Sequence, residues 1–200
     1  MRTGEEWRWG YIDKTGKYLI NPQFDRAWPL SEGLAQVLTF SGILTLEEGS
    51  LNVYKVGYID KTGRYIISPR FDLAWPFSEG IARVKIGNTF GYIDKMGNYV
   101  VNPQFDYAED FGEGLAPVKI GAKYGYINKT GKYVINPQFD DAEVFGEGLA
   151  RVKTGSVWGY IDKTGAYVIQ PLYEEAQGFD EGLAAVKFNG KWGYIKNPLK

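Results

Sequence analysis

Two series of carboxylates recur in this chain at matching intervals. Asp25, Asp72, Asp106, Asp140 and Glu174 form one, and Glu32, Glu79, Glu113, Glu147 and Glu181 the other. Two carboxylates per interval are what a glycoside hydrolase uses for its acid and base, or what a calcium site draws on for oxygen ligands. A hydrolytic pair needs two unlike environments, which five near-identical copies do not supply. No interval gathers three or four oxygen ligands into one short loop, as an EF-hand does. Backbone capping, or pairing with Lys85, Lys119, Lys153 or Lys187, is therefore the leading expectation, with calcium as the alternative.

Other strings spell chemistry only in part. Asp-Lys-Thr-Gly, at Asp13, Asp60 and Asp162, opens the aspartyl-phosphate motif of P-type ATPases. That motif continues with Thr, whereas Lys17, Arg64 and Ala166 follow here. Gly125 to Lys132 has five residues between its glycines, and Tyr133 stands where a phosphate loop places its magnesium-binding hydroxyl. Gly112-Glu-Gly114 and Gly146-Glu-Gly148 lack the third glycine of a dinucleotide fingerprint. Asn128-Lys129-Thr130 is a glycosylation sequon by spelling only.

The chain has no Cys and no His. That removes disulfides, thiol nucleophiles, zinc sites of the usual ligand types and Ser-His-Asp relays. With 23 basic against 24 acidic residues, net charge −1, the electrostatic footprint of a nucleic-acid or anionic-membrane binder is missing. No stretch approaches the roughly 18 apolar residues of a membrane helix, and no leader is visible, which favours a cytoplasmic setting. The expectation is a non-enzymatic monomer without metal or cofactor, and 200 residues at 44% apolar content fit one domain or one run of small repeats.

What positions these residues is a repeat. Gly-Tyr-Ile begins at Gly10, Gly57, Gly91, Gly125, Gly159 and Gly193, at spacings of 47, 34, 34, 34 and 34. Five units follow, about 9–55, 56–89, 90–123, 124–157 and 158–191, with a partial capping unit at 192–196. The first is 13 residues longer, the insertion falling within 38–55.

Three short apolar runs per unit, separated by turn residues, read as three strands. Asp-Lys-Thr-Gly places Asp at the start of a type I turn and Gly at the left-handed position closing a bulged hairpin. The second strand is expected to stop at Pro22, Pro69, Pro103, Pro137 or Pro171, where the N–H is missing. A Phe/Tyr-Asp/Glu-x-Ala segment, an aromatic or Leu anchor and a Glu-Gly turn lead to the third strand. There Ala and Val, as in Ala150 and Val152, face inward. The slot between them varies (Gln36, Arg83, Pro117, Arg151, Ala185) and reads as solvent-facing. The repeating tyrosines are expected to stack as ladders. The fold expected is all-β: tandem 34-residue repeats of three short antiparallel strands in an open, curved, solenoid-like array. A five-bladed propeller-like ring is the alternative.

Trp-Gly-Tyr-Ile-Asp-Lys-Thr-Gly, followed by Asn-Pro-Gln-Phe-Asp and Ser/Gly-Glu-Gly-Leu-Ala, resembles the WG repeat (KWG, or WG β-repeat) family over about residues 7 to 196. The resemblance implies a bacterial-type, β-rich tandem-repeat module that is non-catalytic and works by interaction. The slot before Gly departs from the pattern: it holds Trp9, Val56, Phe90, Tyr124, Trp158 and Trp192. Bulk is retained there and the indole is not, as packing would require.

In a repeat protein the slots that differ between copies are free to carry individual function. Arg26-Ala-Trp28-Pro-Leu and Leu73-Ala-Trp75-Pro-Phe become Tyr107-Ala-Glu109-Asp-Phe, then Asp141-Ala-Glu143-Val-Phe and Glu175-Ala-Gln177-Gly-Phe. Regular stacking would set Trp28 and Trp75 side by side as an aromatic platform flanked by Arg26, Leu73 and Tyr107. The competing expectation is that the indoles cover the insertion, which itself reads as an extra strand pair. A protein partner fits such a platform, and a glycan or cell-envelope ligand is the alternative.

Overall fold

A computed structural model describes residues 7–46 and 49–200. In chain order the strands are β1 (Trp9–Ile12), β2 (Tyr18–Phe24), β3 (Arg26–Ala27), β4 (Leu34–Leu46), β5 (Gly49–Asp60), β6 (Tyr65–Phe71) and β7 (Leu73–Ala74). Next come β8 (Ile81–Ile86), β9 (Thr89–Asp94), β10 (Tyr99–Phe105), β11 (Tyr107–Ala108), β12 (Leu115–Ile120), β13 (Lys123–Asn128) and β14 (Tyr133–Phe139). The last are β15 (Asp141–Ala142), β16 (Ala150–Thr154), β17 (Val157–Ile161), β18 (Tyr167–Tyr173), β19 (Glu175–Ala176), β20 (Leu183–Phe188) and β21 (Lys191–Lys196). No helix occurs among the described residues. The chain divides into two compact units, residues 1–88 with 92–99, and 89–91 with 100–200.

The chain is all-β, a tandem array of small antiparallel sheets, none closed into a barrel. The sheets are offset from the sequence repeat. In β3-β4-β5-β6 the third strand of one repeat pairs with the first strand of the next, which in turn pairs with the second, and β11-β12-β13-β14 and β15-β16-β17-β18 repeat the arrangement. A two-residue strand, such as Arg26–Ala27, adds a fourth member that the sequence pattern did not show. The insertion forms no separate strand pair. It lengthens β4 and β5 into a long hairpin arm, from Phe40 opposite Tyr54 to Leu46 opposite Gly49.

The Asp-Lys-Thr-Gly turn forms as its residues dictate. The Asp13 carboxylate accepts from the Thr15 N–H at 2.8 Å, the Thr15 hydroxyl at 2.6 Å and the Lys17 N–H at 3.1 Å. Gly16 takes φ 87° and closes the turn onto the Asp13 carbonyl. Asn128 makes the same three bonds at 3.0, 2.7 and 3.1 Å. The Glu-Gly turn is a two-residue hairpin with φ 49° at Glu32 and 89° at Gly33, the left-handed pair a type I′ turn requires.

The expected stop at proline does not occur. β2 runs on through Pro22 to Phe24, and β18 through Pro171 to Tyr173. The ladder accommodates the missing donor by a register shift: Tyr160 pairs with Ile169 and Trp158 with Tyr173, so extra residues of the second strand bulge across the intervening Gly159. That crossing explains the glycine of Gly-Tyr-Ile. A Cβ on Gly159 would lie 2.7 Å from the Ile169 carbonyl oxygen and 2.7 Å from the Pro171 nitrogen, and the same clash recurs at Gly10, Gly57, Gly91 and Gly125.

Successive repeats share each core. One cluster joins Leu115, Tyr126 and Ile135 to Phe145, Val152 and Ile161. Ala35 and Val37 are fully buried, as their two-residue spacing requires. The tyrosines of the second strand stack on phenylalanines of the preceding repeat, edge to face: Tyr65 on Phe24, Tyr133 on Phe105 and Tyr167 on Phe139, at 6.2, 6.4 and 6.2 Å. Tyrosine-on-phenylalanine steps thus take the place of the expected tyrosine ladders.

Candidate functional site

Most carboxylates of the two series cap backbone N–H groups or pair with cations inside the array. Asp72, Asp106 and Asp140 accept from the N–H groups of Gly87, Gly121 and Gly155 at 2.6, 2.6 and 2.7 Å, closing the hairpin that leads into the next repeat. Arg8, Lys55 and Lys123 pair with Asp25, Asp72 and Asp140. Of the cations expected from spacing, Lys187 pairs with Glu175 at 2.8 Å. In the second series, Glu113 and Glu147 cap the Gly148 and Gly182 N–H groups of the following repeat and pair with Lys163 and Lys200. Glu32 does the same for Gly80 and Lys95. The Lys123 ammonium and Gly155 N–H hold Asp140 below the usual carboxylate range, and Lys95 does so for Glu32. An acid that donates at neutral pH needs the opposite shift.

The tyrosines of Gly-Tyr-Ile have an equally structural task. Tyr11, Tyr58, Tyr126 and Tyr160 donate their hydroxyls to the carbonyls of Trp28, Trp75, Glu143 and Gln177 at 2.7, 2.7, 2.8 and 2.7 Å. Burial raises the Tyr160 phenol to about 12 and pushes Tyr126 well above its ordinary value, so both remain donors at any physiological pH.

These bonds fix the residues that vary. The Trp28 N–H donates to the Gln36 carbonyl at 3.2 Å and the Trp75 N–H to that of Arg83 at 3.1 Å. Each indole therefore sits on a backbone held at both its N–H and its C=O, and each is half-buried. The Arg26 guanidinium lies over the Trp28 ring at 5.1 Å, and that of Arg83 over Trp75 at 4.1 Å. Leu73 is exposed on β7, two residues before Trp75. Arg26, Trp28, Leu73 and Trp75 all belong to the first unit. Tyr107 belongs to the second, where its ring meets Phe90 and Tyr124 at 5.4 and 6.3 Å and its hydroxyl bonds Glu109.

The slot read as solvent-facing is covered in the first three repeats: Gln36 is 3% and Arg83 5% exposed, and Pro117 is buried. Strand alternation does turn it away from Ala35 and Val37, but a second layer lies on that face. The Gln36 amide donates to the Ala74 carbonyl at 3.3 Å, and Arg83 lies on Trp75. In the second unit Arg151 sits over Trp158 at 5.1 Å and pairs with Glu143 at 3.0 Å. The signal was the residue types themselves: Arg recurring one strand from an aromatic is a stacking pair.

Trp28 lines a cavity of about 310 Å³ with Trp9, Tyr11, Ile12 and Pro29, none of them from the insertion. The insertion arm presents its own apolar surface, with Phe40, Ile43, Leu44 and Leu51 about half exposed or more. Apolar residues on both faces of those strands, where alternation would leave one polar, were the available sign of this surface.

A family described as WG containing repeat matches residues 9–39, 57–89, 90–124, 124–157 and 158–192, and the chain belongs to that family. No curated protein matches it. Solved structures similar to it include the extracellular domain of a hybrid two-component system from B. thetaiotaomicron, 14% identical with TM-score 0.47, covering 87% of this chain and 27% of that one. Another is a plant albumin from Cicer arietinum showing hemagglutination, 14% identical with TM-score 0.29, covering 88% of this chain and 93% of that one. The chain thus spans about a quarter of the first structure's length.

Proposed function

We propose that this WG-repeat array is a non-catalytic scaffold that binds a protein partner through the first unit, at the surface carrying Arg26, Trp28, Leu73 and Trp75. The observation that carries the reading is the pair of half-buried indoles on pinned backbone, at slots where the later repeats place Glu or Gln. Rigid aromatic residues flanked by arginine are the composition of interface hot spots. The apolar arm rises from the sheet that contains β3, beside Arg26 and Ala27, and extends the same surface.

Affinity capture from native extract, comparing the chain with its Trp28→Ala, Trp75→Ala variant, tests the proposal. Loss of the partner at an unchanged melting temperature supports it. Undiminished capture, or a variant that no longer folds, refutes it. Partly accessible aromatic rings also suit sugar faces, and a glycan-array hit lost in the same variant would establish the carbohydrate reading in its place.

A further inference from the structure

β21 pairs with β20 on one side and with no described strand on the other. It nevertheless repeats the sequence that elsewhere receives a second strand, and three features of the receiving geometry are present and unused. A Cβ built on Gly193 meets nothing within 4 Å, whereas at the five other Gly-Tyr-Ile glycines the crossing Pro strand approaches to 2.7 Å or less. Lys191 stands two residues before its glycine, as Arg8, Lys55 and Lys123 do. Those three pair with the Asp that follows the second strand, while Lys191 has no ion pair among the described residues. Tyr194 is 76% exposed, where its counterpart Tyr160 is fully buried under the Phe179 ring at 4.8 Å. Beside it, Trp192, Gly193 and Tyr194 line a cavity of about 350 Å³ with Gln177 and Ala185.

We propose that the free edge of β21 is a strand-acceptor site for an extended segment of a partner polypeptide with the pattern aromatic-x-Ile/Val-x-Pro-x-aromatic-Asp/Glu. The segment pairs antiparallel, in the register that β18 shows on β17: Ile/Val opposite Tyr194, the second aromatic opposite Trp192 and the proline over Gly193. Its carboxylate meets Lys191. Main-chain bonds supply affinity, and the glycine cleft and the ammonium supply selectivity. The edge is marked against its own copies, because antiparallel self-pairing would set Lys191 opposite Lys196, like charge on like. The inference rests on the scaffold reading only for the class of partner, a polypeptide, and concerns a different surface.

The test uses the full chain and a synthetic peptide of residues 133–145, Tyr-Val-Ile-Asn-Pro-Gln-Phe-Asp-Asp-Ala-Glu-Val-Phe, titrated by calorimetry. Saturable binding is expected, with Gly193→Val weakening it about tenfold or more at an unchanged melting temperature. The milder Gly193→Ala serves if the valine variant is poorly folded. Lys191→Glu weakens binding, and a peptide carrying Asp140→Lys regains it on that variant. The Trp28→Ala, Trp75→Ala variant binds the peptide normally, so failure here and failure of the scaffold reading are separable. No saturable binding, binding indifferent to Gly193→Val, or a concentration-dependent dimer of the chain alone that Gly193→Val abolishes would each overturn the proposal.

Discussion

Gly125→Ala and Gly193→Ala make the same chemical change in the same sequence context and should differ sharply in stability. On Gly125 the added Cβ lies 2.6 Å from the Ile135 carbonyl oxygen and 2.7 Å from the Pro137 nitrogen, so β14 must retreat by about 0.8 Å to reach ordinary van der Waals contact. Both obstacles are backbone, and the retreat pulls on the Tyr126–Ile135 and Ile127–Tyr133 pairs. Overpacking a closed site of this kind costs about 1–3 kcal/mol, and we expect the upper end because no side chain can swing aside. On Gly193 the Cβ meets open space, and the change should stay within about 0.5 kcal/mol. Urea unfolding followed by tryptophan fluorescence and circular dichroism measures both. The wild-type slope should be kept by Gly193→Ala. A broadened or two-step transition for Gly125→Ala is the sign of one repeat interface failing before its neighbours. A loss below about 1 kcal/mol at Gly125, or equal losses at the two sites, would refute the crossing-strand account of this glycine.

Tyr126→Phe removes the hydroxyl that satisfies the Glu143 carbonyl and should cost about 1–2 kcal/mol by chemical denaturation, with the fold kept. Asp162→Asn should be silent, because Asn128 makes the same turn contacts in this chain, whereas Asp162→Ala should lower Tm by about 3 °C in a thermal scan. Asp13, Glu32, Asp72 and Asp140 have folded-state pKa values below the ordinary carboxylate range, through Thr15, Lys95, Lys55 and Lys123 respectively. In each case the unfolded chain binds the proton more readily, so their stabilisation is present above a pH of about 4 and is lost as pH falls through the folded values. With no histidine, denaturation midpoints should be flat between about pH 6 and pH 8 and fall below about pH 4.

Much of the architecture was legible because turn chemistry is local. Asp13 to Gly16 and Glu32-Gly33 specify their hairpins within four residues, and the Ala-x-Val strand announces its buried face by spacing alone. The proline stop failed because a local rule, one missing N–H, was overridden by a non-local device. A bulge over Gly159 lets β18 continue to Tyr173, which pairs opposite Trp158. The buried variable slot failed for a related reason. Alternation tells which face Gln36 and Arg83 share, and it does not tell that Trp75 and the Ala74 carbonyl lie on that face. The sheets' offset from the sequence repeat was hidden because a repeat boundary is arbitrary in sequence, while pairing joins the end of one copy to the start of the next. Of the candidate binding residues, Arg26, Trp28, Leu73 and Trp75 fall in one compact unit and Tyr107 in the other. A five-copy comparison has no means of making that division.

The scaffold reading is tested most directly by titrating the captured partner into the wild-type chain and into the Trp28→Ala, Trp75→Ala variant, with unfolding midpoints measured on the same samples. Removal of two interface anchors at about 2 kcal/mol each predicts an affinity loss of about a hundredfold or more, with the midpoint unmoved. Equal affinity for the two proteins, or an affinity loss that appears only together with a collapse of the unfolding midpoint, would contradict it.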